Sequence, residues 1–323
     1  MKKKLHSVPE GTIEIHLHTS DSPDVFPLKE NFHADTSGRG QIDSYLLFPG
    51  IEISYHQLLA DKASFYHESL PNVLEITYCH SGRIGWNMED GVSLYLGNGD
   101  LAFHSMNHCA HSEMQMPLGY YEGLTVSIDF EQLKNTCPEL LRTVGFDFDQ
   151  MLRKFSQPAA IPSQPDTEHI FSVLYHSPEV LRIPYSMLKV QELLLFLYSF
   201  SPDTQSELLP RSSQQTELIR EVHKLLTENL EHRYTIEELS KRYPINSSTL
   251  KTVFKTVYGM PVASYMKQYR IRKAIELLRN TDESISSIAL QVGYETPGKF
   301  TKAFKDITQM LPKEYRKQTR TAS

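Results

Sequence analysis

The sequence predicts an α+β protein in two parts. An N-terminal antiparallel β-barrel with helices is followed by an all-α region, in which two helix-turn-helix units are joined by a linker helix. Three observations lead there. From about Thr12 to Phe130 apolar residues alternate with polar ones, the period of half-buried strands. From about Phe130 to Phe200 apolar residues recur at three and four, the period of a helix. Beyond Thr216 a short pattern is written twice. Ile236 to Leu239, Leu250 and Phe254-Lys255 return as Ile285 to Ile288, Phe300 and Phe304-Lys305, offset by 49 residues at the start and 50 at the end.

The strands come first. Leu74, Ile76 and Tyr78 alternate with Glu75, Thr77 and Cys79, and Ile84, Trp86 and Met88 continue after His80-Ser81-Gly82-Arg83. Asp90-Gly91 is a hairpin signal ahead of Val92, Leu94 and Leu96. Asn98-Gly99-Asp100 is a second turn, followed by Leu101 and Phe103, and Leu124, Val126, Ile128 and Phe130 form one more strand. Short strands at this spacing predict a small barrel or a double-sheet roll. Glu168 to Tyr175 reads as a helix, and Met187, Leu188, Gln191, Leu194, Leu195 and Tyr198 form the apolar stripe of another. Ser201 to Gln215 is polar and without period, the expected linker. The domains are therefore 1–200, a linker at 201–215 and the tandem helical units at 216–317.

Charge separates the same parts. Of 33 basic and 39 acidic residues, 20 and 12 lie between Arg211 and Ser323, a balance of +8 against −14 for residues 1–210. A basic tail on an acidic body is expected where one part meets phosphate. Three cysteines, Cys79, Cys109 and Cys137, lack the spacing of a disulfide framework or structural zinc site. Lys2 to Lys4 are not followed by an apolar run, and no segment reaches the ~20 apolar residues of a membrane span. The expectation is a soluble, cytoplasmic protein without a membrane partner.

The tandem units are punctuated as helices. Thr235-x-x-Glu238 is a capping box, and Gly259 falls where a left-handed helix end wants no Cβ. Ala263 to Arg279 is the connecting helix, carrying Arg270, Arg272 and Lys273, and is ended by Asn280. Ser284 caps the next helix, and Thr296-Pro297 supplies a cap and a proline at the first helical position. In a helix-turn-helix the first helix braces the second, which enters the major groove. Ile236 and Leu239, then Ile285, Ile288 and Ala289, brace. Leu250 and Phe254, then Phe300 and Phe304, pin the reading helices. The opposite faces present Ser247, Ser248, Thr249, Lys251 and Thr252 in the first unit, and Gly298, Lys299, Thr301 and Lys302 in the second. Lysine can donate to guanine and hydroxyls can serve either partner. Lys255 and Lys305, each beside a buried phenylalanine, suit phosphate. The second turn, Val292-Gly293-Tyr294, has a glycine where the first has Tyr243-Pro244-Ile245.

Residues 216–317 resemble the AraC/XylS family of bacterial transcription regulators. The match is carried by Ile288-Ala289-x-x-Val292-Gly293-Tyr294, Phe300, Phe304-Lys305 and Pro312-x-x-Tyr315-Arg316. Phe254-Lys255-x-x-x-Gly259, Tyr265, Arg270 and Ala274 to Leu278 add to it. The resemblance implies two units on one face of a promoter or operator duplex, with base contacts at Ser248, Lys251, Thr252, Gly298, Lys299 and Lys302. One departure is Gln309 and Leu311 in place of the family's glycine and threonine, which predicts a differently shaped loop before Pro312. The reading helices are light in arginine, so specificity is expected to lean on hydroxyls, water and DNA shape.

The N-terminal part resembles, more loosely, the cupin-like effector domains of that family. Leu74-Glu75-Ile76-x-Tyr78-Cys79-x-x-Gly82-Arg83 and Gly99-Asp100-Leu101 carry this likeness. It implies a barrel that holds a small-molecule effector, and helices that make a homodimer; the Met187 to Tyr198 helix can do this or pack on the barrel. Tyr78, Trp86, Phe103 and His104 are the candidate ligand-lining residues. Of 14 histidines, 12 precede residue 210. His104, His108 and His111, near Cys109 and Glu113, have the chemistry of metal ligands, but their spacing falls near a strand end and loop, so no metal or other cofactor is expected. His16 and His18 share a strand face. No Ser/His/Asp or Cys/His signature stands out, so a non-enzyme is expected. The chain is read as an effector-controlled regulator, with RNA polymerase a further partner if it activates. The alternatives are a cupin-type metal-binding protein or metalloenzyme with a DNA-binding tail, and a regulator without an effector.

Overall fold

The structure, a computed structural model, describes residues 5–18, 33–66, 70, 72–88, 91–106, 111–155, 157–200, 208 and 211–321. The chain divides into two compact units, Met1–Ser213 and Gln214–Ser323.

The first unit is built on two sheets. The strands are β1 (Thr12–His18), β2 (His33–Thr36), β3 (Arg39–Phe48), β4 (Ile51–Leu59), β5 (Lys62–Tyr66), β6 (Val73–Gly82), β7 (Ile84–Asn87), β8 (Val92–Leu96), β9 (Leu101–Ser105), β10 (His111–Gln115), β11 (Tyr121–Asp129), β12 (Ala159–Ile161) and β13 (Arg211–Ser212). One sheet runs β1-β3-β4-β11-β6-β9-β12, the other β13-β8-β7-β10-β5-β2. Among the described residues this is not the closed antiparallel barrel expected. Both sheets are open, and β1 pairs with β3 in parallel. The longest strands, β3, β4, β6 and β11, lie side by side, and β1 and β12 extend their sheet instead of closing it.

The larger sheet buries both faces. One packs on helices α1 (Phe130–Thr136), α2 (Glu139–Thr143), α3 (Phe148–Lys154), α4 (Pro165–His176) and α5 (Arg182–Ser199), through Ile53, Ile76, Phe103, Val126, Phe171 and Leu194. The other meets the second sheet through Ile42, Leu58, Ile84, Trp86, Leu96 and Met114. Burying such side chains contributes about 1.5–3 kcal/mol each.

Three local expectations are corrected. Phe130 does not continue β11; Asp129 ends the strand and caps α1, accepting from the N–H groups of Glu131 and Gln132. A short side-chain acceptor at that point favours a helix start over one more strand residue. In α5 the buried stripe is Ser186, Val190, Leu193, Leu194 and Leu197, so Leu188 points outward at 61% exposure. Apolar residues surround this helix, and its period alone does not choose which stripe is covered. In the expected linker, Ser201 to Glu207, Leu209 and Pro210 lie outside the described residues. Arg211–Ser212 pair with β8, and Ser213–Gln215 begin a helix.

The second unit is helical: α6 (Ser213–Glu228, opening at the boundary), α7 (Ile236–Arg242), α8 (Ser247–Tyr258), α9 (Val262–Asn280), α10 (Ile285–Gln291), α11 (Pro297–Thr308) and α12 (Pro312–Thr321). The Thr235 box forms in both directions, and Ser284 and Thr296 cap α10 and α11. Four residues join α7 to α8 and five join α10 to α11. The extra residue of the second copy therefore sits in its turn, where Gly293 takes a φ of +78°.

Candidate nucleic-acid interface and inter-sheet site

Each reading helix is held by one buried face. In α8 that face is Leu250, Val253, Phe254, Val257 and Tyr258; in α11 it is Phe300, Ala303 and Phe304. The bracing helices supply buried Leu239, and buried Ile288 and Ala289, while Ile236 and Ile285 are half-buried. Ile245 and Tyr294, one in each turn, are buried as well. Asn246, which sequence reading passed over, caps α8 by accepting from the Thr249 N–H at 2.8 Å. An asparagine four residues before Leu250, ahead of a helical period, was the available signal.

The remaining faces carry the predicted readers. Ser248, Lys251, Thr252 and Lys255 are exposed on α8, and Ser247 and Thr249 are half-buried. The Ser247 hydroxyl lies 3.1 Å from that of Ser240 on α7, tying brace to reader. The Thr252 hydroxyl donates to the Ser248 carbonyl at 3.0 Å and keeps lone pairs for an outside donor. On α11, Gly298, Lys299, Lys302 and Lys305 are exposed and Thr301 is half-buried. Lys299 pairs with Glu295 one turn earlier. Lys251, Lys255, Lys302 and Lys305 make no ion pair among the described residues.

The connecting helix is less available than the sequence implied. Arg270 is 9% exposed and donates to the Leu230 and His232 carbonyls at 2.9 and 3.2 Å. Lys273 pairs with Glu276 at 2.7 Å, and the Arg272 guanidinium sits 5.6 Å from the Tyr269 ring.

Residues 239–318 match the protein family described as Helix-turn-helix domain. The HTH-type transcriptional regulator AlkR of Acinetobacter baylyi is 33% identical over 89 residues, 28% of this chain and 29% of that protein. The C-terminal unit of the chain carries an AraC-type helix-turn-helix domain. The HTH-type transcriptional activator RhaR of Mannheimia succiniciproducens, 29% identical over 91 residues, matches 28% of this chain and 33% of its own length. The chain thus spans about a third of the length of these relatives. The C-terminal domain of the two-component response regulator yesN from Fusobacterium nucleatum is 34% identical, covering 32% of this chain and 99% of that one with a TM-score of 0.29.

In the first unit, the four candidate ligand-lining residues do not converge. Tyr78 stacks on Phe171 of α4 with ring centres 4.2 Å apart, and Phe103 packs against Phe155 and Phe200. Both face the helices, so both belong to the core. His104 and Trp86 lie on the inter-sheet side, 6.0 Å apart. There the larger sheet presents two cross-strand rows of polar residues. Ser44, Ser54, Thr125 and Thr77 form one; Glu52, Ser127, Glu75 and His104 form the other. His104 is 3.0 Å from Glu75, whose other oxygen accepts from Ser127, and the Thr77 and Thr125 hydroxyls meet at 3.2 Å. His56, 2.7 Å from the Ser54 hydroxyl, is pushed down to about 4 by burial, so it is neutral at pH 7.

Of the metal-type cluster, His108 and Cys109 lie outside the described residues, and His104 is engaged with Glu75. Among the described residues no group of three or more ligand-type side chains could hold a metal. His16 and His18 do share a face; both reach Asp43, at 3.2 and 3.3 Å. Burial pushes the Cys79 thiol up to about 12. No described helix is long and apolar enough to cross a membrane.

Proposed function

We propose that this protein is an effector-responsive transcription regulator that reads adjacent major-groove segments of a promoter or operator duplex with α8 and α11. The observation that carries this reading is the paired, outward presentation of Lys251, Lys255, Lys302 and Lys305 on two capped helices whose other faces are buried. Ser247, Ser248, Thr249, Thr252, Gly298, Lys299 and Thr301 complete the two reading faces. Lys299 exchanges Glu295 for DNA on binding, a low-cost step because both groups are exposed.

The effector site is the inter-sheet side of the first unit, with Trp86 and His104 as its contacts. Its rows of hydroxyls and carboxylates suit a small polar molecule that exchanges hydrogen bonds with groups now paired to one another, such as Glu75, His104 and Ser127. In this reading the two sheets act as a cupin-like pocket. The outward face of α5 and the preceding turn, with Leu181, Tyr185 and Leu188 spaced by four and three, serves a homodimer. RNA polymerase is a further partner where the bound site favours activation.

The test begins with full-length protein selecting duplexes from a randomised pool. Lys251→Ala with Lys302→Ala should abolish the preference for selected over scrambled duplex. Unchanged preference would refute the reading face.

A further inference from the structure

The two reading units are held together by more than their shared helix. The apolar core of the second helix-turn-helix (α10 and α11), Ile271, Ala274, Leu278, Ile288, Val292, Phe300 and Phe304 with their neighbours, draws on no described residue before Ile271. The α6–α7 loop nevertheless lies directly on the α10–α11 turn. Arg270 of α9 donates to the Leu230 and His232 carbonyls of that loop. Arg233, also from the loop, donates through Nε to the Gly293 carbonyl at 2.9 Å and sits 5.3 Å from the Tyr294 ring. Gly293 permits this contact. A Cβ there would stand 2.0 Å from the Leu230 carbonyl oxygen and 3.1 Å from the Arg270 guanidinium carbon.

A joint made of one helix resists bending but controls twist and splay through a single packing line. Hydrogen bonds from two fork-shaped guanidiniums to backbone carbonyls are directional and charge-assisted. Arg233 ties the α6–α7 loop to the α10–α11 turn, and Arg270 ties the same loop to the connecting helix, so together they constrain the angle between α8 and α11. Lys267 of α9, paired with Asp306 of α11 at 3.1 Å, braces the same joint from another side.

We infer that the α6–α7 loop is a clasp that fixes the separation of the two reading helices, with Arg233, Arg270 and Gly293 as positioning residues that determine which operator spacing is accepted. The inference rests on the reading that both units meet DNA. Two linked binding modules gain about 100-fold or more in affinity when geometry lets both engage, and lose it when geometry forbids this. A stiff joint makes that loss steep.

The experiment uses full-length protein and a duplex it has selected from a random pool. Hydroxyl-radical footprinting must first show two protected segments; a single segment would refute the two-reader reading itself. Inserting two base pairs between the segments moves the second by roughly 7 Å and turns it by about 70°. Wild-type protein should lose about 100-fold in affinity for the lengthened duplex. Arg233→Gln and Arg270→Lys should each lose about tenfold or less, whatever their affinity for the original. The ratio between duplexes is the readout, because partial unfolding or a lost phosphate contact lowers both alike. Arg233 is exposed, so its variant tests the clasp even if Arg270→Lys folds poorly. Two segments in the footprint with no spacing penalty in wild type, or the full penalty kept by both variants, would overturn the clasp.

Discussion

Gly259 and Gln309 occupy the same place at the ends of α8 and α11. Each is left-handed, with φ of 80° and 59°, and each donates its N–H at 2.8 Å to the carbonyl of the lysine four residues earlier, Lys255 or Lys305. The loop before Pro312 therefore keeps at this residue the turn that glycine would make, contrary to the shape expected from Gln309. The cost appears in the backbone, since Gln309 is the one non-glycine residue of positive φ among those described.

Opposite stability changes are expected at these two positions. Left-handed backbone costs a residue with a Cβ about 1 kcal/mol or more. Gln309→Gly should stabilise the second unit by up to about 1 kcal/mol, and Gly259→Ala should destabilise it by about the same amount. Urea unfolding of the full chain, followed through helical ellipticity, checks both signs.

Acid should weaken the second unit through His223. Its Nε2 lies 2.8 Å from the Tyr265 hydroxyl and its ring stacks on Tyr258. Burial, then the Arg272 charge, pushes it down from 6.5 to about 4. The folded ring stays neutral where the unfolded one takes up a proton. Its contribution is thus whole above about pH 6.5 and is lost as pH falls toward 4. At ~1.4 kcal/mol per unit the loss is at most roughly 3 kcal/mol. Hydrogen exchange of the α8 and α9 amides at pH 7, 5.5 and 4.5 should show protection falling, and His223→Gln should flatten the trend. His56 titrates in the other unit, so local exchange is needed rather than a global probe.

Lys255 and Lys305 should behave differently from Lys251 and Lys302. A phosphate contact carries no sequence information, and its loss lowers the salt dependence of log K by about 0.9. Lys255→Ala and Lys305→Ala should each reduce that slope and weaken selected and scrambled duplexes alike. A change in sequence preference would move these residues into the reading set.

The sole tryptophan makes the inter-sheet site testable. Trp86 is buried beside His104, so a polar effector bound there should change its fluorescence. His104→Ala should remove the response to a ligand found by thermal-shift screening. Phe103→Leu should cost about 1 kcal/mol in stability and leave ligand affinity unchanged, because Phe103 faces the helices. A large affinity loss in that variant would put Phe103 back in the site.

The outward stripe of α5 should matter for association and not for folding. Leu188→Glu is expected to shift sedimentation from dimer to monomer with little change in the unfolding midpoint. Sedimentation that is identical for the two proteins would remove α5 from the interface.

What the sequence alone determined is local. Caps at Thr235, Ser284 and Thr296, the glycine helix end at Gly259 and the doubled apolar pattern placed the second unit's helices within a few residues, because these signals act within one helical turn. Alternation likewise located β6, β9 and β11, but it says only that a strand has two faces. Both faces of the larger sheet are buried, one by helices and one by a second sheet. The assignment of Tyr78 and Phe103 to the core, and of Glu75, Thr77 and His104 to the inter-sheet rows, was therefore decided by what packs on each side. Tertiary contact also decided the role of Arg270: on a helix it reads as surface charge until a loop some forty residues earlier supplies its acceptors. The close approach at Gly293, the outward turn of Leu188 and the left-handed Gln309 belong to the same class. Each depends on an atom far along the chain, or on strain that the surrounding packing sustains, and neither is written in a residue's immediate neighbours.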